Sequence, residues 1–218
     1  MHREPGFVWL QTIEVKRILA QKAASEGCDR RRVPYNKTAK FANQEDPRLM
    51  KEVERILRVD HAGEYGAINI YKAQLFVARL FYKEIVPQLE EMLSHEKVHF
   101  SAFNKILVAR SIRRCYAINF WAFGGFSLGL FTALIGRNAI WVCTNSIEST
   151  VLHHLEWQLE FLSKNDSEVH QAVLSIKADE EAHQEFGQTN GKNSLVYKPI
   201  FYIVRSATEF AIWLSTKL

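Results

Sequence analysis

Acidic and imidazole side chains recur in this chain at spacings that suit a metal centre. The six residues concerned are Glu64, Glu96, His99, Glu148, Glu180 and His183. Two of the glutamates are each followed three positions later by a histidine, so both members of such a pair lie on one face of a helix. In each half of the set, a lone glutamate stands 32 residues before the glutamate of the pair. This repetition indicates an internal duplication of one helical hairpin around a common centre.

Burying these carboxylates requires a compensating positive charge. The six residues fall on seams where apolar residues recur every three or four positions, which is the period of a helix face that points into a bundle. No lysine or arginine shares those seams, and an ionised carboxylate is costly to bury without compensation. Four glutamates and two histidines are the ligand set of ferritin-like bundles that hold two iron or manganese ions. The sequence therefore predicts a dinuclear site. Its thiolate-free ligands favour iron over zinc but do not separate iron from manganese.

A second metal motif overlaps the first. Residues His95 to His99 spell His-Glu-x-x-His, in which zinc peptidases bind one zinc through both histidines and use the glutamate as a base. That interpretation gives no role to the lone glutamates or to the second pair. The duplication accounts for the other ligands and leaves His95 as an extra residue, so we favour the dinuclear site.

The elements that must position these residues are helices. Glycine (10) and proline (5) are scarce among 218 residues, and 47% of the chain is hydrophobic, which excludes wholesale disorder and disfavours a turn-rich β-sandwich. The three scattered cysteines argue against a disulfide framework. We predict a helix that begins at Asp46-Pro47, a second after Pro87, a third and a fourth separated by residues 163–167, a loop over 187–194 and a closing apolar helix over 195–218.

An uncharged run joins the second predicted helix to the third. Residues 115–136 are long enough to cross a membrane, but a crossing would place Glu96 and Glu148 on opposite sides of it. We therefore predict an all-α fold: a ferritin-like four-helix bundle with a long apolar crossover and an additional C-terminal apolar helix. The two apolar segments suggest a protein that lies in one membrane leaflet. A dimer interface or ordinary core would also account for them.

The basic character of the chain is confined to its N-terminal arm. Residues 1–44 contain nine Lys/Arg and four Asp/Glu, whereas the rest of the chain contains 19 and 20. A nearly neutral body argues against a nucleic-acid-binding surface. The arm is either a mitochondrial targeting segment or a loose basic tail, and residues 45–218 form the metal-binding domain.

Several other residues are candidates for supporting roles. Asp60 lies one turn before Glu64 and could orient a ligand histidine, or it could bond to a neighbouring helix. His154 lies beside the seam of the third helix, where it could relay protons or be a core histidine. Gly63 and Gly66 flank Glu64, and glycine inside a helix suggests close approach by another helix or a substrate.

Five segments of the chain resemble the 5-demethoxyubiquinone hydroxylase family of ubiquinone biosynthesis. They are Arg58-Val-Asp-His-Ala-Gly-Glu-Tyr-Gly-Ala67, Glu96-x-x-His99, Cys143-Thr with Glu148 and His153-His154, Asp179-Glu-Glu-Ala-His183 and the closing Ile212-Trp-Leu-Ser-Thr-Lys-Leu218. The resemblance covers about residues 50–218 and implies a ferritin-like di-iron monooxygenase with the six ligands above. Many relatives have tyrosine after the paired histidines, where this chain has Leu155.

The resemblance also implies a setting for the enzyme. It would lie on the matrix side of the mitochondrial inner membrane, or on the cytoplasmic side of a bacterial one, and add a hydroxyl to the ring of polyprenylated demethoxyubiquinone. Dioxygen is the implied co-substrate, and a lipid-binding subunit of the biosynthetic complex is an implied partner. Electrons must come from an external donor, because the chain has no Gly-rich dinucleotide fingerprint.

Another function fits the same ligand set. A ferritin-like protein that stores iron or scavenges peroxide would use the same fold, and fold alone does not decide between the two. The apolar crossover and C-terminal helix favour the hydroxylase, since a soluble cage protein has no use for them. The sequence leaves a homo-oligomer as a further option.

Overall fold

All regular secondary structure in the computed structural model is helical; the model describes residues 46–191 and 195–218. The N-terminal arm and its suggested targeting role lie outside these residues. The helices are α1 (Pro47–Phe81), α2 (Val86–Ala109), α3 (Ile118–Ile135), α4 (Arg137–Asn165), α5 (Ser167–Asn190) and α6 (Lys198–Ser215), with a 3-10 turn at Lys83–Ile85 between α1 and α2.

Side-chain caps fix two of the helix starts. Asp46 accepts a hydrogen bond from the Arg48 backbone N–H at 2.8 Å, and Pro47 occupies the first turn of α1, as predicted. Asp166 separates α4 from α5 and accepts from the Val169 N–H at 3.1 Å. Arg110, at the end of α2, pairs with both oxygens of the Asp166 carboxylate. The α4–α5 turn is therefore tied to the first hairpin.

The long connection between the two hairpins runs along α1. Gly125 and Gly129 of α3 lie against Gly66 and Ile70 of α1, so both helices advance in the same direction. The chain thus returns to the far end of the bundle before α4 begins, and α4 runs antiparallel to α1. This topology, with one long crossover, is that of a ferritin-like bundle and confirms the predicted fold class.

Two apolar layers fill the bundle, one above and one below the predicted ligands. One layer packs the second half of α1 against the start of α2 and α4, around Leu75, Leu89 and Ile140. The other packs the start of α1 against the ends of α2 and α4, around Leu57 and Phe103. In α1, Glu64 falls between the residues of the two layers. The ligand candidates therefore occupy a polar layer inside an otherwise apolar bundle.

The contact between α1 and α3 depends on glycine. A Cβ added at Gly125 would lie 2.4 Å from the Gly66 carbonyl oxygen, and one added at Gly129 would lie 2.3 Å from that of Ile70. The predicted close approach beside Glu64 is thus made by α3. The opposite face of α3 is exposed and apolar. Among the described residues, Ile118–Ile135 is the one helix long and apolar enough to cross a membrane, and 17% of it is buried inside the fold.

The loop predicted over 187–194 is wrong for its first four residues, because α5 continues to Asn190. Gly187 lies inside the helix, at a point where α4 passes close to it. A Cβ at Gly187 would lie 2.7 Å from the backbone nitrogen of Asn145 and 2.9 Å from the Trp141 carbonyl oxygen. The glycine thus marks a close helix crossing, and α6 begins at Lys198, three residues later than predicted.

Adding a methyl group at the α1–α3 contact should destabilise the fold. We expect Gly125→Ala to lower the free energy of unfolding by about 1–3 kcal/mol, because the helices must move apart. Gly124→Ala is the matched control. A Cβ there meets nothing within 4 Å, and alanine favours a helix by about 1 kcal/mol over glycine. Urea denaturation followed by circular dichroism measures both, and equal stabilities would contradict the packing argument.

Candidate metal centre

The six predicted ligands converge in the polar layer of the bundle. α1 and α4 each contribute one glutamate, and α2 and α5 each contribute one Glu-x-x-His pair. All six side chains are buried, at most 7% exposed. Their potential ligand atoms form two groups, each with all atoms within 4.8 Å of one another: Glu64, Glu96, His99 and Glu180 in one, and Glu96, Glu148, Glu180 and His183 in the other. The two groups share Glu96 and Glu180, so the arrangement suits two cations bridged by two carboxylates.

The donor atoms point inward without ordinary hydrogen-bond partners. Four buried atoms lack one: Glu96 Oε1, His99 Nδ1, Glu180 Oε2 and His183 Nδ1. His99 Nδ1 lies 3.1 Å from Glu180 Oε1, and His183 Nδ1 lies 3.4 Å from Glu96 Oε1. Within the described part of the chain, Glu64, Glu96 and Glu180 pair with these histidines, and none of the four glutamates pairs with a lysine or arginine. The residues therefore fit a pair of metal ions.

The protein's own charges balance poorly in this layer. Burial raises the pKa of Glu96 and of Glu148 well above the usual range, and the neighbouring Glu180 carboxylate raises both further. Burial also raises the pKa of Glu64 to about 7. For Glu180, burial acts in the same direction, but the close His183 and His99 imidazoles outweigh it and lower the Glu180 pKa. Four carboxylates thus cannot all be ionised together unless cations join them.

Three further side chains contact the cluster, and the predicted dinuclear site included none of them. Asp179 Oδ2 lies 3.1 Å from His99 Nε2, and His95 Nδ1 lies 3.1 Å from His183 Nε2. The buried Tyr71 hydroxyl donates to Glu148 Oε1 at 3.0 Å. The sequence does carry a signal for the tyrosine, because it stands seven residues after Glu64, two turns along the same helix face.

The zinc-peptidase interpretation requires His95 and His99 to face one metal. In the structure, His99 Nδ1 points into the cluster, whereas His95 contacts the outer nitrogen of His183 and belongs to neither ligand group. The His-Glu-x-x-His run therefore does not form a single zinc site.

Asp60 and His154 lie outside the cluster. Asp60 Oδ1 accepts a hydrogen bond from Gln158 of α4 at 2.9 Å, so it bonds to a neighbouring helix, and Asp179 is the carboxylate that contacts His99. Asp60 Oδ2 is buried without a partner. Burial raises the Asp60 pKa to about 7 despite the hydrogen bond from Gln158. His154 Nε2 lies 3.0 Å from Glu209 Oε2 of α6.

An apolar cavity of about 560 Å³ leads to the cluster between α1, α3, α4 and α6. Its walls are mainly aliphatic and aromatic, and they include Trp121, Leu128, Phe131, Phe210, Ala211 and Ile212. Both Asp60 and His154 line it, and so do all four glutamates of the cluster. An apolar molecule inside this cavity would therefore lie against the carboxylates.

Removing a shared glutamate should abolish metal binding. We expect the wild-type chain to hold two iron ions and Glu180→Ala to hold none after dialysis, because Glu180 belongs to both ligand groups. Glu148→Ala removes a ligand from one group only, so it should lose the metal of that group. Glu181→Ala is the control, since that side chain is 56% exposed and pairs with Lys177. Iron per chain is measured by mass spectrometry, and helical content by circular dichroism. Two irons retained by Glu180→Ala would refute the site.

Comparisons with known proteins agree with this geometry. Residues 51–215 match the family described as ubiquinone biosynthesis protein COQ7. The NADPH-dependent 3-demethoxyubiquinone 3-hydroxylase of Dictyostelium discoideum is 35% identical over 170 residues, which cover 76% of this chain and 77% of that protein. The human protein of the same name is 33% identical over 76% of this chain and 78% of its own. The 3-demethoxyubiquinol 3-hydroxylase of Rhodospirillum rubrum is 32% identical over 84% and 86%. The chain belongs to the COQ7 family of ubiquinone biosynthesis proteins.

Proposed function

We propose that this chain is a di-iron monooxygenase that hydroxylates the ring of demethoxyubiquinone in ubiquinone biosynthesis. The observation that carries the proposal is the position of the buried carboxylate cluster at the inner end of an apolar cavity. Relatives that match more than three quarters of the chain are named as hydroxylases of this substrate. A ring that carries a long polyprenyl tail requires such a combination of polar centre and apolar path.

The six clustered residues would hold the two iron ions, with Glu96 and Glu180 as bridges. Oxygen-rich ligands with two imidazoles and no thiolate suit iron. When bound, the iron pair supplies the redox chemistry that activates dioxygen, so that one oxygen atom enters the ring and the other leaves as water. That balance needs two electrons from an external donor. We take NADPH as the donor, because the names of several relatives include it.

The chain's own residues orient the substrate and handle protons. Apolar walls from α3 and α6 would hold the prenyl tail and exclude water from the ring. Asp60 presents a buried, unpartnered oxygen to the cavity, and its pKa of about 7 allows it to hold or release a proton there. His154 lines the same cavity and contacts Glu209, which provides a route for protons between the cavity and the surface. We propose these two residues as the proton-handling groups.

Iron storage or peroxide scavenging is the alternative function. Both activities use the same ligand set, but iron ions and peroxide are polar and need a hydrophilic path to the cluster. The cavity that reaches the four glutamates here is lined mainly by carbon. Its chemistry favours an apolar substrate.

We further propose that the protein lies on one face of a membrane, at the mouth of the cavity. Exposed aromatic and aliphatic side chains are concentrated on α3 and α6, among them Phe123, Phe131, Leu134, Tyr202 and Trp213. Several relatives are named as mitochondrial and one is bacterial. We place the chain on the matrix side of the mitochondrial inner membrane, or on the cytoplasmic side of a bacterial one. The lipid-binding subunit and a homo-oligomer stay predictions, as do a targeting role for residues 1–44 and a hydroxylase domain over 45–218.

Complementation tests the reaction. In a strain that lacks its own hydroxylase and accumulates demethoxyubiquinone, we expect the wild-type chain to restore ubiquinone and Glu180→Ala to leave the precursor in place, because the variant loses a bridging ligand. Glu181→Ala should restore ubiquinone as the wild type does. Extracted quinones are quantified by liquid chromatography and mass spectrometry. A chain that accumulates, binds iron and consumes peroxide but leaves the precursor unchanged would favour the alternative function.

Attachment to a single leaflet should depend on apolar contact. Full burial of a large apolar side chain in the membrane contributes about 1.5–3 kcal/mol to the free energy of attachment, so a few such residues suffice to hold the protein on the bilayer. We expect binding to vesicles to resist moderate salt and to be lost when Phe210 and Trp213 are both changed to glutamine. Leu174→Gln is the control, because this exposed leucine lies on α5, away from α3 and α6.

Protease protection in sealed vesicles tests the orientation. We expect sites before residue 113 and after residue 137 to be cleaved from the same side, since α2 and α4 supply one ligand cluster. Cleavage from opposite sides would overturn both the single-leaflet arrangement and the shared site.

A further inference from the structure

The residue directly before the glutamate of each Glu-x-x-His pair contacts the histidine of the other pair. His95 precedes Glu96 on α2 and reaches His183 on α5, where its Nδ1 lies 3.1 Å from Nε2. Asp179 precedes Glu180 on α5 and reaches His99 on α2, where its Oδ2 lies 3.1 Å from Nε2. The two contacts occupy equivalent positions in the duplicated hairpins, but one partner is an imidazole and the other a carboxylate.

The orientation of the ligand histidines fixes what these partners must do. His99 and His183 both turn a buried, unpartnered Nδ1 toward the glutamates. An imidazole that binds a metal through Nδ1 carries its proton on Nε2, so Nε2 becomes a hydrogen-bond donor. The partner must then accept. A carboxylate always can, whereas His95 can accept only when its own Nδ1 is unprotonated and its proton sits on Nε2.

The geometry of the histidine pair supports such a bond. The rings of His95 and His183 are nearly parallel, with an interplanar angle of 10° and centroids 5.3 Å apart. Because two of their nitrogens are only 3.1 Å apart, the rings meet edge to edge, so the N–H of one points at the lone pair of the other. His95 is half-buried, and this contact defines its orientation.

We propose that His95 is a positioning residue for His183, and that the different partners of the two ligand histidines make the two metal positions unequal. The inference rests on the proposed di-metal function and extends it to the order of metal binding. A metal-bound imidazole is a stronger base when its N–H donates to a carboxylate than when its N–H donates to a neutral imidazole. The position that contains His99 therefore binds metal more tightly and fills first.

Stepwise metal binding tests this asymmetry without any assay of activity. The full chain, freed of metal with a chelator, is titrated with Co²⁺ without oxygen while its visible absorption is recorded. Repulsion between the two cations makes the second ion bind more weakly than the first even when the two metal positions are equal. The test is therefore which of the two binding steps each variant weakens. We expect His95→Leu to weaken the second step by about 10- to 100-fold and leave the first unchanged. Asp179→Asn, which keeps a hydrogen-bond acceptor but removes its charge, should weaken the first step.

A third variant separates positioning from packing. In His95→Asn, the amide oxygen can take the place of Nδ1 as an acceptor, so this variant should restore the second step to within a few fold of the wild type. The far-UV circular dichroism and melting temperature of each variant establish that it is folded. If His95→Leu unfolds, the comparison of Asp179→Asn with the wild type still decides the asymmetry.

The outcomes are distinguishable. If Asp179→Asn and His95→Leu both weaken only the second step, the two positions are equal and the asymmetry is wrong. If His95→Leu changes neither step, or if His95→Asn is as weak as His95→Leu, His95 does not position His183. If the wild-type chain takes up no Co²⁺ at all, the proposed di-metal function fails, and this inference fails with it.

Discussion

The cost of burying four carboxylates in one layer governs this structure. Glu64, Glu96, Glu148 and Glu180 lie between two apolar clusters, where an ionised group loses its hydration. No lysine or arginine of the described helices pairs with these carboxylates, and the two histidines supply too little positive charge to balance four negative ones. Two divalent cations would complete the balance. The carboxylate layer thus serves metal binding and does not stabilise the fold by itself. The apolar clusters on either side stabilise the bundle.

The crossover helix forms one wall of the cavity that reaches this layer. Glycines at the α1 contact bring the α3 backbone against α1 near Glu64, so the bulky side chains of α3 line the cavity or face outward. The helix buries little of its own surface in the fold, yet it forms one wall of the path to the carboxylates. The apolar character of α3 fits its two surfaces: one face lines the cavity, and the other is exposed and suits a lipid surface. The crossover that the ligand set requires thus also supplies a wall of the cavity.

Features of the fold that follow from a periodic residue spacing could be predicted from the sequence. Contacts that depend on how the helices rotate against one another could not. The ligand spacing placed all six side chains in one layer. The cap at Asp46 and the break over residues 163–167 located two helix starts. The partners of His99 and His183 come from different helices, so spacing along one helix does not reveal them. For Asp60, the sequence left open whether it orients a ligand histidine or bonds to a neighbouring helix, because its partner Gln158 lies in the other half of the chain. The sequence predicted that Gly187 begins a loop, because a local residue pattern does not show that α4 packs against this position.

The C-terminal helix forms a wall of the cavity and is held by a small apolar cluster and a few polar contacts. In α6, the buried residues are Val204 and Ser215, and Val204 packs with Ile70, Cys143 and Ile147 in a small third apolar cluster. Polar contacts to α4 add to this packing: the Ser146 hydroxyl donates to the Phe201 carbonyl oxygen at 2.7 Å, and His154 Nε2 lies 3.0 Å from Glu209 Oε2. These bonds fix the helix at two points eight residues apart. The apolar side chains of α6 are thereby left for the cavity and the outer surface, where the proposed substrate and membrane would need them.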